Sequence, residues 1–560
     1  MRDGSMATMT RPHAALVRAT WQPILFGPPN RADLAECIPS WPLRTLRVRV
    51  HRNHGFEPIS SATLAFGAWN GLAFEWTIGA YDDSLAFDLH VDADVDVLWL
   101  DTTRIALAEG EALGRWIASR ILALRAQTDN PIVVLAWPLD ESARAVVDGA
   151  SIPDVWVADL SQLQASLRDP WLDPRAETIS GTKLGNRACL HIARELACKW
   201  LPAAALPPCK AIAIDLDDTL YRGVLGEEGV GGVVLAEGHR ELQQRLRALR
   251  ESGILLALVS RNERSDVEEL FARREDFPLR VSDFITIEAS WNDKVAALAK
   301  VATQLRIAPD AMVFVDDNAG ELASIASSLP VFTVHAQGDA RMTATAIDHV
   351  AGMFRWRQSH EDRIRAHDLR ASTVRAELLQ TAKSNDDYLR SLDVVLDFLV
   401  GDMQHVSRLA QLSAKTNQFN LALRRINEAE IVRRIRERPA DVIAIRLADR
   451  LSDSGIIGLV AGAREDDVLR VDELCISCRA LGRRLEDSMV TKALAIMAGH
   501  AAPRQVRFAL RKGTRNAPAR EWLARYADCV LDENSSAVEI PFARVATSEI
   551  SPAIRLNVIQ

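Results

Sequence analysis

Three carboxylates stand together at Asp215, Asp217 and Asp218, directly after the apolar run Ala211 to Ile214 and before Thr219. The run has the length of a strand, and the glycine-punctuated segment behind it marks a loop. Carboxylates crowded at a buried strand's end repel one another, so a positive charge has to be found among them. Mg2+ suits this best, as a hard cation that takes oxygen ligands and works alongside substrate phosphates. The chemistry open to such a group is phosphoryl transfer. A metal-held carboxylate attacks phosphorus without first losing a proton, and a second carboxylate two residues on protonates the leaving oxygen. A turn between a strand and a helix, rich in Asp because Asp suits turns and caps, is the plain alternative.

The DxDxT pattern from Asp215 to Thr219 resembles the first motif of the haloacid-dehalogenase-type (HAD) phosphotransferases, which work through an aspartyl-phosphate. The resemblance implies Asp215 as nucleophile and Asp217 as acid/base. Further on, the apolar run Leu255 to Val259 ends in Ser260-Arg261-Asn262, where that family binds the phosphoryl group. Lys294, within Trp291-Asn292-Asp293-Lys294, stands where a lysine neutralises the phosphoryl oxygens and the attacking carboxylate. A third run, Met312 to Val315, ends in Asp316-Asp317-Asn318 and is similar to the family's acidic metal motif. The resemblance therefore implies Mg2+ held by Asp215, Asp217 and Asp316, with Ser260, Arg261, Asn262 and Lys294 around the phosphate. Three strands ending in polar residues also satisfy the rule that open parallel sheets bind ligands at their carboxyl ends.

Spacing bears on access. Members of this superfamily often carry a cap domain after the first or second motif, but Leu220 to Leu242 reads as a short flap, and Ser260 to Lys294 holds little more than a helix and a strand. A capless site is open to a large or tethered substrate.

The chain has 560 residues, enough for about three domains. A net charge of −8 argues against a nucleic-acid-binding surface. The basic pairs Arg424-Arg425 and Arg483-Arg484 read as solvated faces, with an acidic partner as the alternative. Seven cysteines lie scattered without a framework of spacings, the N-terminal residues lack a signal-peptide core, and no stretch is long and apolar enough to span a bilayer. A cytoplasmic protein with neither nucleic-acid nor membrane partners is the expectation.

The expected architecture is α/β in three domains. Residues 1–203 read as an α/β domain with strands at Ala62 to Phe66, Val95 to Leu100, Ile132 to Ala136 and Val155 to Leu160, and a helix from Gly110 to Ala126. This resembles the flavodoxin-type fold of SGNH esterases. Their serine does not carry over, because Gly67-Ala68-Trp69-Asn70 follows the expected first strand, and no DxxH occurs near Asp169 or Asp173. The domain reads as non-catalytic. Pro202 to Pro208 is the expected linker to a capless HAD-type Rossmannoid domain at 204–352.

Residues 353–560 read as a charged helical connector followed by a domain that resembles GNAT-fold acetyltransferases. Its cues are Val406 to Leu423, which turns polar at Lys415-Thr416-Asn417-Gln418-Phe419-Asn420, strands at Asp441 to Ala448, Gly455 to Ala461 and Val468 to Cys478, and a helix from Leu485 to Gly499. Before that helix, Arg479-Ala480-Leu481-Gly482-Arg483-Arg484 partly matches the loop that holds a thioester donor, with Arg484 in place of its final small residue. Cys475 and Cys478 form a lone CxxC, which lacks the four ligands of a zinc site. Cys475 reads as a small buried hydrophobe. Cys478, beside an arginine and before a helix N-terminus, reads as a nucleophile.

Taken together, DLDDTLYRGVLGEEGV, LAQLSAKTNQFNLALRR and CISCRALGRRLE closely resemble the FkbH-like proteins of polyketide biosynthesis over about residues 205 to 500. That resemblance implies a bifunctional glyceryl transferase/phosphatase. It takes the glyceryl unit of 1,3-bisphosphoglycerate onto Cys478, dephosphorylates it at the Asp215 site and delivers it to the phosphopantetheine arm of an acyl carrier protein. Lys415, Asn417, Gln418, Asn420, Arg479 and Gly482 are the residues expected around the acyl group and pantetheine. The family usually has Asn where this chain has Asp218 and Gly where it has Arg484. The alternative is a stand-alone Mg-dependent phosphatase of a small metabolite whose C-terminal domain binds a regulator.

Overall fold

The computed structural model describes residues 14–560 apart from 106–109, 358–359, 500–501, 514, 528–530, 532–534 and 547–549. The chain divides into two compact units, 1–357 and 358–560. The first holds two five-stranded sheets, both wholly parallel.

The first sheet consists of β1 (Arg44–Arg52), β2 (Leu72–Tyr81), β3 (Val95–Asp101), β4 (Ile132–Trp137) and β5 (Val155–Val157) in the order β2-β1-β3-β4-β5. This is the doubly wound order of flavodoxin. Two of its strands differ from expectation. Ala62 caps, and Thr63 to Phe66 open, the helix Thr63–Trp69, where Thr63, Ala65, Phe66, Ala68 and Trp69 are buried. The true first strand, RTLRVRVHR, reads as polar because of its arginines. Leu46, Val48 and Val50 nevertheless join the core, while Arg49 bonds Asp96 at 2.5 Å and Arg47 pairs with Asp92 and Asp94. The strand expected from Val155 to Leu160 stops at Val157, because Asp159 caps a helix over Leu160–Ser166. Asn53-His54-Gly55 follows the observed first strand, again without serine.

The second sheet is β6 (Ala211–Ile214), β7 (Leu255–Ser260), β8 (Phe284–Ala289), β9 (Met312–Asp316) and β10 (Phe332–His335), in the order β10-β9-β6-β7-β8. The chain steps outward from β6 through β7 to β8, then returns to the other side for β9 and β10. The order therefore reverses between β6 and β9, which is where an open α/β sheet leaves a ligand crevice at its carboxyl edge. Neither interval expected to lack a cap holds one. β6 leads through helices Leu225–Gly232 and Glu237–Glu251 to β7, and the flap is tied down by Arg222 and Val234, which exchange backbone hydrogen bonds of 3.0 and 2.9 Å.

One continuous apolar core runs from Val48 and Trp99 of the first sheet to Ile212 and Val313 of the second. The segment expected as a linker is packed into it: Leu201–Ala205 is helical, with Leu201 and Pro202 buried.

The second unit is built on β11 (Val395–Val400), β12 (Phe419–Asn420), β13 (Val442–Asp449), β14 (Ser452–Glu465), β15 (Val468–Ile476), β16 (Gln505–Ala509), β17 (Ala537–Pro541) and β18 (Arg555–Ile559). They form one mixed sheet in the order β17-β16-β15-β14-β13-β11-β18, with β12 pairing on β15. The helix His360–Thr381, expected as a connector, is bound into this unit. Its Arg375 reaches Asp449 at 2.8 Å, and its Asp368 accepts hydrogen bonds from Ser454 at 2.8 Å and Arg483 at 3.1 Å.

Candidate active site at the carboxyl edge of the second sheet

The site begins with strand ends. Asp215 directly follows β6, while Ser260 and Asp316 end β7 and β9, so the sheet itself fixes their spacing. Lys294 opens the helix Lys294–Gln304 behind Asp293, whose side chain accepts from the Val295 N–H as its cap. That places the ammonium inward. Lys294 Nζ lies 2.7 Å from Asp316 Oδ2 and 3.2 Å from Asp215 Oδ1.

Burial opposes the lysine's charge, but the two carboxylates outweigh it and raise its pKa. Asp215 is pushed up to about 7, first by burial and then by Asp316, against the pull of Lys294. Burial and Asp316 also raise Asp317. One ammonium is too little positive charge for buried Asp215 and Asp316 with the more exposed Asp317 beside them. Asp215, Asp316 and Asp317 can each offer an oxygen within 4.8 Å of the others, the one such group among the described residues. The contact from Lys294 lacks hydrogen-bond alignment, so the buried Asp215 Oδ1 has no donor satisfying it. A hard divalent cation fits this donor set.

The carboxylate of Asp217, expected among the metal ligands, is engaged elsewhere. Its Oδ1 accepts from Tyr221 OH at 2.7 Å and the Leu225 N–H at 2.9 Å, and its Oδ2 accepts from Asn262 Nδ2 at 2.8 Å. Asn262 also donates to Ser260 Oγ at 2.9 Å, joining the expected phosphate-binding residues to the expected acid/base. Oδ1 has two donors and Oδ2 one, so a lone pair remains on Oδ2. Asp218, at φ 49°, turns the chain and accepts from the Gly223 N–H at 2.8 Å.

Arg261 points across the crevice to Glu321, 2.6 Å away. Trp291 is 69% exposed, yet its indole N–H is fixed on Glu263 at 2.9 Å. Tyr221, Asp317 and Glu321 are the residues that sequence reasoning did not single out. Asp317 was visible as the second acid of the Asp316-Asp317-Asn318 run, whereas nothing local marks Tyr221 or Glu321.

In the second unit Cys478 lies two residues beyond β15, half-buried in a turn, and is a free thiol. Cys475 is fully buried on β15, and burial raises its thiol pKa well above the usual value. The helix after the turn, Glu486–Ala498, has Glu486 and Asp487 in its first turn. Gly482 takes φ 80° and Arg484 φ 58°, while Arg483 turns inward to Asp449 and Asp368. Arg479 is half-buried in the same turn.

β12 pairs antiparallel with the end of β15, Phe419 opposite Ile476 and Asn420 opposite Cys475. Asn417 and the exposed Gln418 immediately precede the paired Phe419, as Ser477 and Cys478 immediately follow Ile476. Asn420 is buried and donates to Glu473 at 2.7 Å, Asn417 accepts from Arg425, and Lys415 donates to Gln411 at 3.3 Å. Glu473, which sequence reasoning passed over, is fully buried. It also accepts from Ser413 at 2.7 Å, and burial raises its pKa.

No family model matches this chain, and no curated protein does. Among solved structures, it is similar to the N-terminal, phosphatase-domain-containing part of protein BF1531 from Bacteroides fragilis, complexed with Mg, at 18% identity over 56% of this chain and 95% of that one, with a TM-score of 0.45. It is also similar to a HAD-family enzyme from Bacteroides thetaiotaomicron complexed with magnesium and inorganic phosphate, at 15% identity over 23% and 95%, TM-score 0.20. A GCN5-related glucosamine N-acetyltransferase region of a fungal multi-domain β-N-acetylglucosaminidase matches at 10% identity over 93% and 68%, TM-score 0.17. At these identities and scores each is a likeness and nothing more.

Proposed function

We propose that the first unit is a capless, Mg-dependent HAD-type phosphatase that forms a phosphoryl-enzyme on Asp215. The observation that carries this reading is the convergence of Asp215, Lys294, Asp316 and Asp317 at the reversal point of the second sheet, with Ser260 and Asp217 linked through Asn262. Asp215, Asp316 and Asp317 would hold the ion, which supplies charge that keeps Asp215 ionised and draws electron density from the phosphoryl oxygens. Lys294 orients the attacking carboxylate. Asp215 attacks phosphorus, the bond to the leaving oxygen breaks, and Asp217, held by Tyr221 and Asn262, gives that oxygen its proton. Water then attacks the phosphoryl-enzyme while Asp217 takes the proton back, which frees phosphate and restores Asp215. Ser260 Oγ, which accepts from Asn262, keeps its own hydroxyl proton to donate to a phosphoryl oxygen, while Asn262 spends both side-chain N–H groups on Asp217 and Ser260.

The second half of the proposal is acyl transfer at Cys478. The substrate is the acyl phosphate 1,3-bisphosphoglycerate. The Cys478 thiolate attacks its carbonyl, the bond to the acyl phosphate breaks, and a thioester forms with phosphate as leaving group. Dephosphorylation at Asp215 and exchange onto an acyl carrier protein's thiol complete an FkbH-like glyceryl transfer for polyketide biosynthesis in the cytoplasm. Support comes from the half-buried free thiol just beyond β15, whose end pairs with Phe419–Asn420 of the polar run. The test is intact-protein mass after incubation with Mg2+ and 1,3-bisphosphoglycerate. A glyceryl-sized adduct on wild type, absent from Cys478→Ala and replaced by a phosphoglyceryl-sized one on Asp215→Asn, supports both halves. Phosphate release from small esters with no adduct on any protein leaves a stand-alone phosphatase with a ligand-binding C-terminal region.

A further inference from the structure

Arg261 is the first residue after β7, and Glu321 lies in the first turn of the helix Ala319–Ser328 that follows β9. In the sheet β6 runs between β7 and β9, so the 2.6 Å ion pair from Arg261 to Glu321 passes over the carboxyl end of β6, which carries Asp215. A bar of opposite charges thus lies across the mouth of a site with no cap. The pair is unequal. The arginine side chain is 50% exposed and the glutamate 15%. An ion pair that solvent reaches on one side is weak, while a guanidinium binding a carboxylate or phosphate of a ligand in a desolvated crevice gains a bidentate, charge-assisted contact. Glu321 tolerates losing its partner because it lies at a helix N-terminus, where a negative charge is favoured.

We propose that Arg261 is the specificity residue of this site. It leaves Glu321 to bind a second anionic group on the substrate, so the site prefers phosphate monoesters whose leaving group carries a carboxylate or another phosphate. This inference rests on the phosphatase reading of the Asp215 site and not on the acyl transfer at Cys478: a phosphoglyceryl thioester has no second anionic group, so a preference for one favours the stand-alone phosphatase. It goes beyond that reading by assigning Arg261 to the leaving group rather than to the phosphoryl group in transfer, and Glu321 to holding it at rest. Glu321 then acts against uncharged esters, which offer nothing to draw the arginine away.

The probes are 3-phosphoglycerate and glycerol 3-phosphate, which differ in the carboxylate. In wild type with Mg2+, kcat/KM is higher for 3-phosphoglycerate. Arg261→Gln lowers the ratio of the two kcat/KM values at least about tenfold, the worth of a charge-assisted hydrogen bond, mostly through KM. Glu321→Gln lowers KM for 3-phosphoglycerate. Equal losses on both esters in Arg261→Gln overturn the proposal, because they make Arg261 a ligand of the phosphoryl group. Binding by calorimetry to Asp215→Asn protein, with and without Arg261→Gln, reads the same preference without turnover. If wild type hydrolyses neither ester, the phosphatase reading fails, while calorimetry still decides the role of Arg261: a lost preference supports it and an unchanged one overturns it.

Discussion

Lys294 Nζ, on the first residue of the helix Lys294–Gln304, donates at 2.7 Å to Asp316 Oδ2 at the end of β9. Among the described residues the ammonium is the one cation paired with Asp215 and Asp316, in a crevice that burial makes hostile to charge, and every step proposed for the first unit depends on that balance.

Removing the ammonium therefore exposes the imbalance. Lys294→Met leaves buried carboxylates without a cation, a loss of about 3–5 kcal/mol for a broken buried pair. Mg2+ is expected to raise the variant's Tm by more than it raises wild type's, because the ion takes over part of the missing charge. A thermal melt with and without Mg2+ checks this. Equal shifts would place the ion elsewhere.

Asp217→Asn keeps the acceptor on Oδ1 and removes the proton donor. Turnover should fall about 100-fold or more, the usual worth of general acid–base catalysis, and fall least with leaving groups of low pKa that need no proton. A series of aryl phosphates of graded acidity measures this. A uniform loss across the series would deny Asp217 the acid's role.

Tyr221→Phe removes one of the two donors on Asp217 Oδ1 and keeps the ring against Phe277. The expected cost is about 1 kcal/mol, close to a fivefold loss in kcat with an unchanged fold. An unchanged kcat would mean that the Leu225 N–H alone holds the carboxylate.

The three strand ends of the second sheet were legible because each apolar run stops at a polar residue with chemistry. Ala211–Ile214 gives Asp215, Leu255–Val259 gives Ser260, and Met312–Val315 gives Asp316. Their convergence needed only the parallel order of the sheet. β1 of the first sheet was hidden because Arg47 and Arg49 break its apolar signal and are neutralised by Asp92, Asp94 and Asp96, partners more than forty residues away. The sequence offered Asp215, Asp217 and Asp316 as the acidic cluster, whereas the structure brings together Asp215, Asp316 and Asp317. Strand register alone cannot show that Tyr221, Leu225 and Asn262 tie up Asp217 while Asp317 lies beside Asp215 and Asp316. In the second unit the pairing of Phe419–Asn420 with Cys475–Ile476 is a long-range contact, and the polar run around it resembles any helix end.

Acid should unfold the first unit in a defined window. Burial lowers the pKa of His54 to about 3 and of His191 to about 4. In the unfolded chain both bind protons near pH 6.5, so between about 6.5 and 4 the unfolded state takes up more protons and stability falls as pH drops. His54→Gln should flatten that decline in Tm. A decline of unchanged slope would place the titrating groups elsewhere.

The most direct test of the central claim is to trap the phosphoryl group. Asp217→Asn protein is given Mg2+ and an aryl phosphate, quenched in acid within the first turnover, reduced with borohydride and mapped by peptide mass. Reduction turns a phosphorylated aspartate into homoserine. The account predicts homoserine at position 215 and none at 217, 218, 316 or 317. Phosphate release with Asp215 unmodified, or turnover that survives Asp215→Asn, would contradict it.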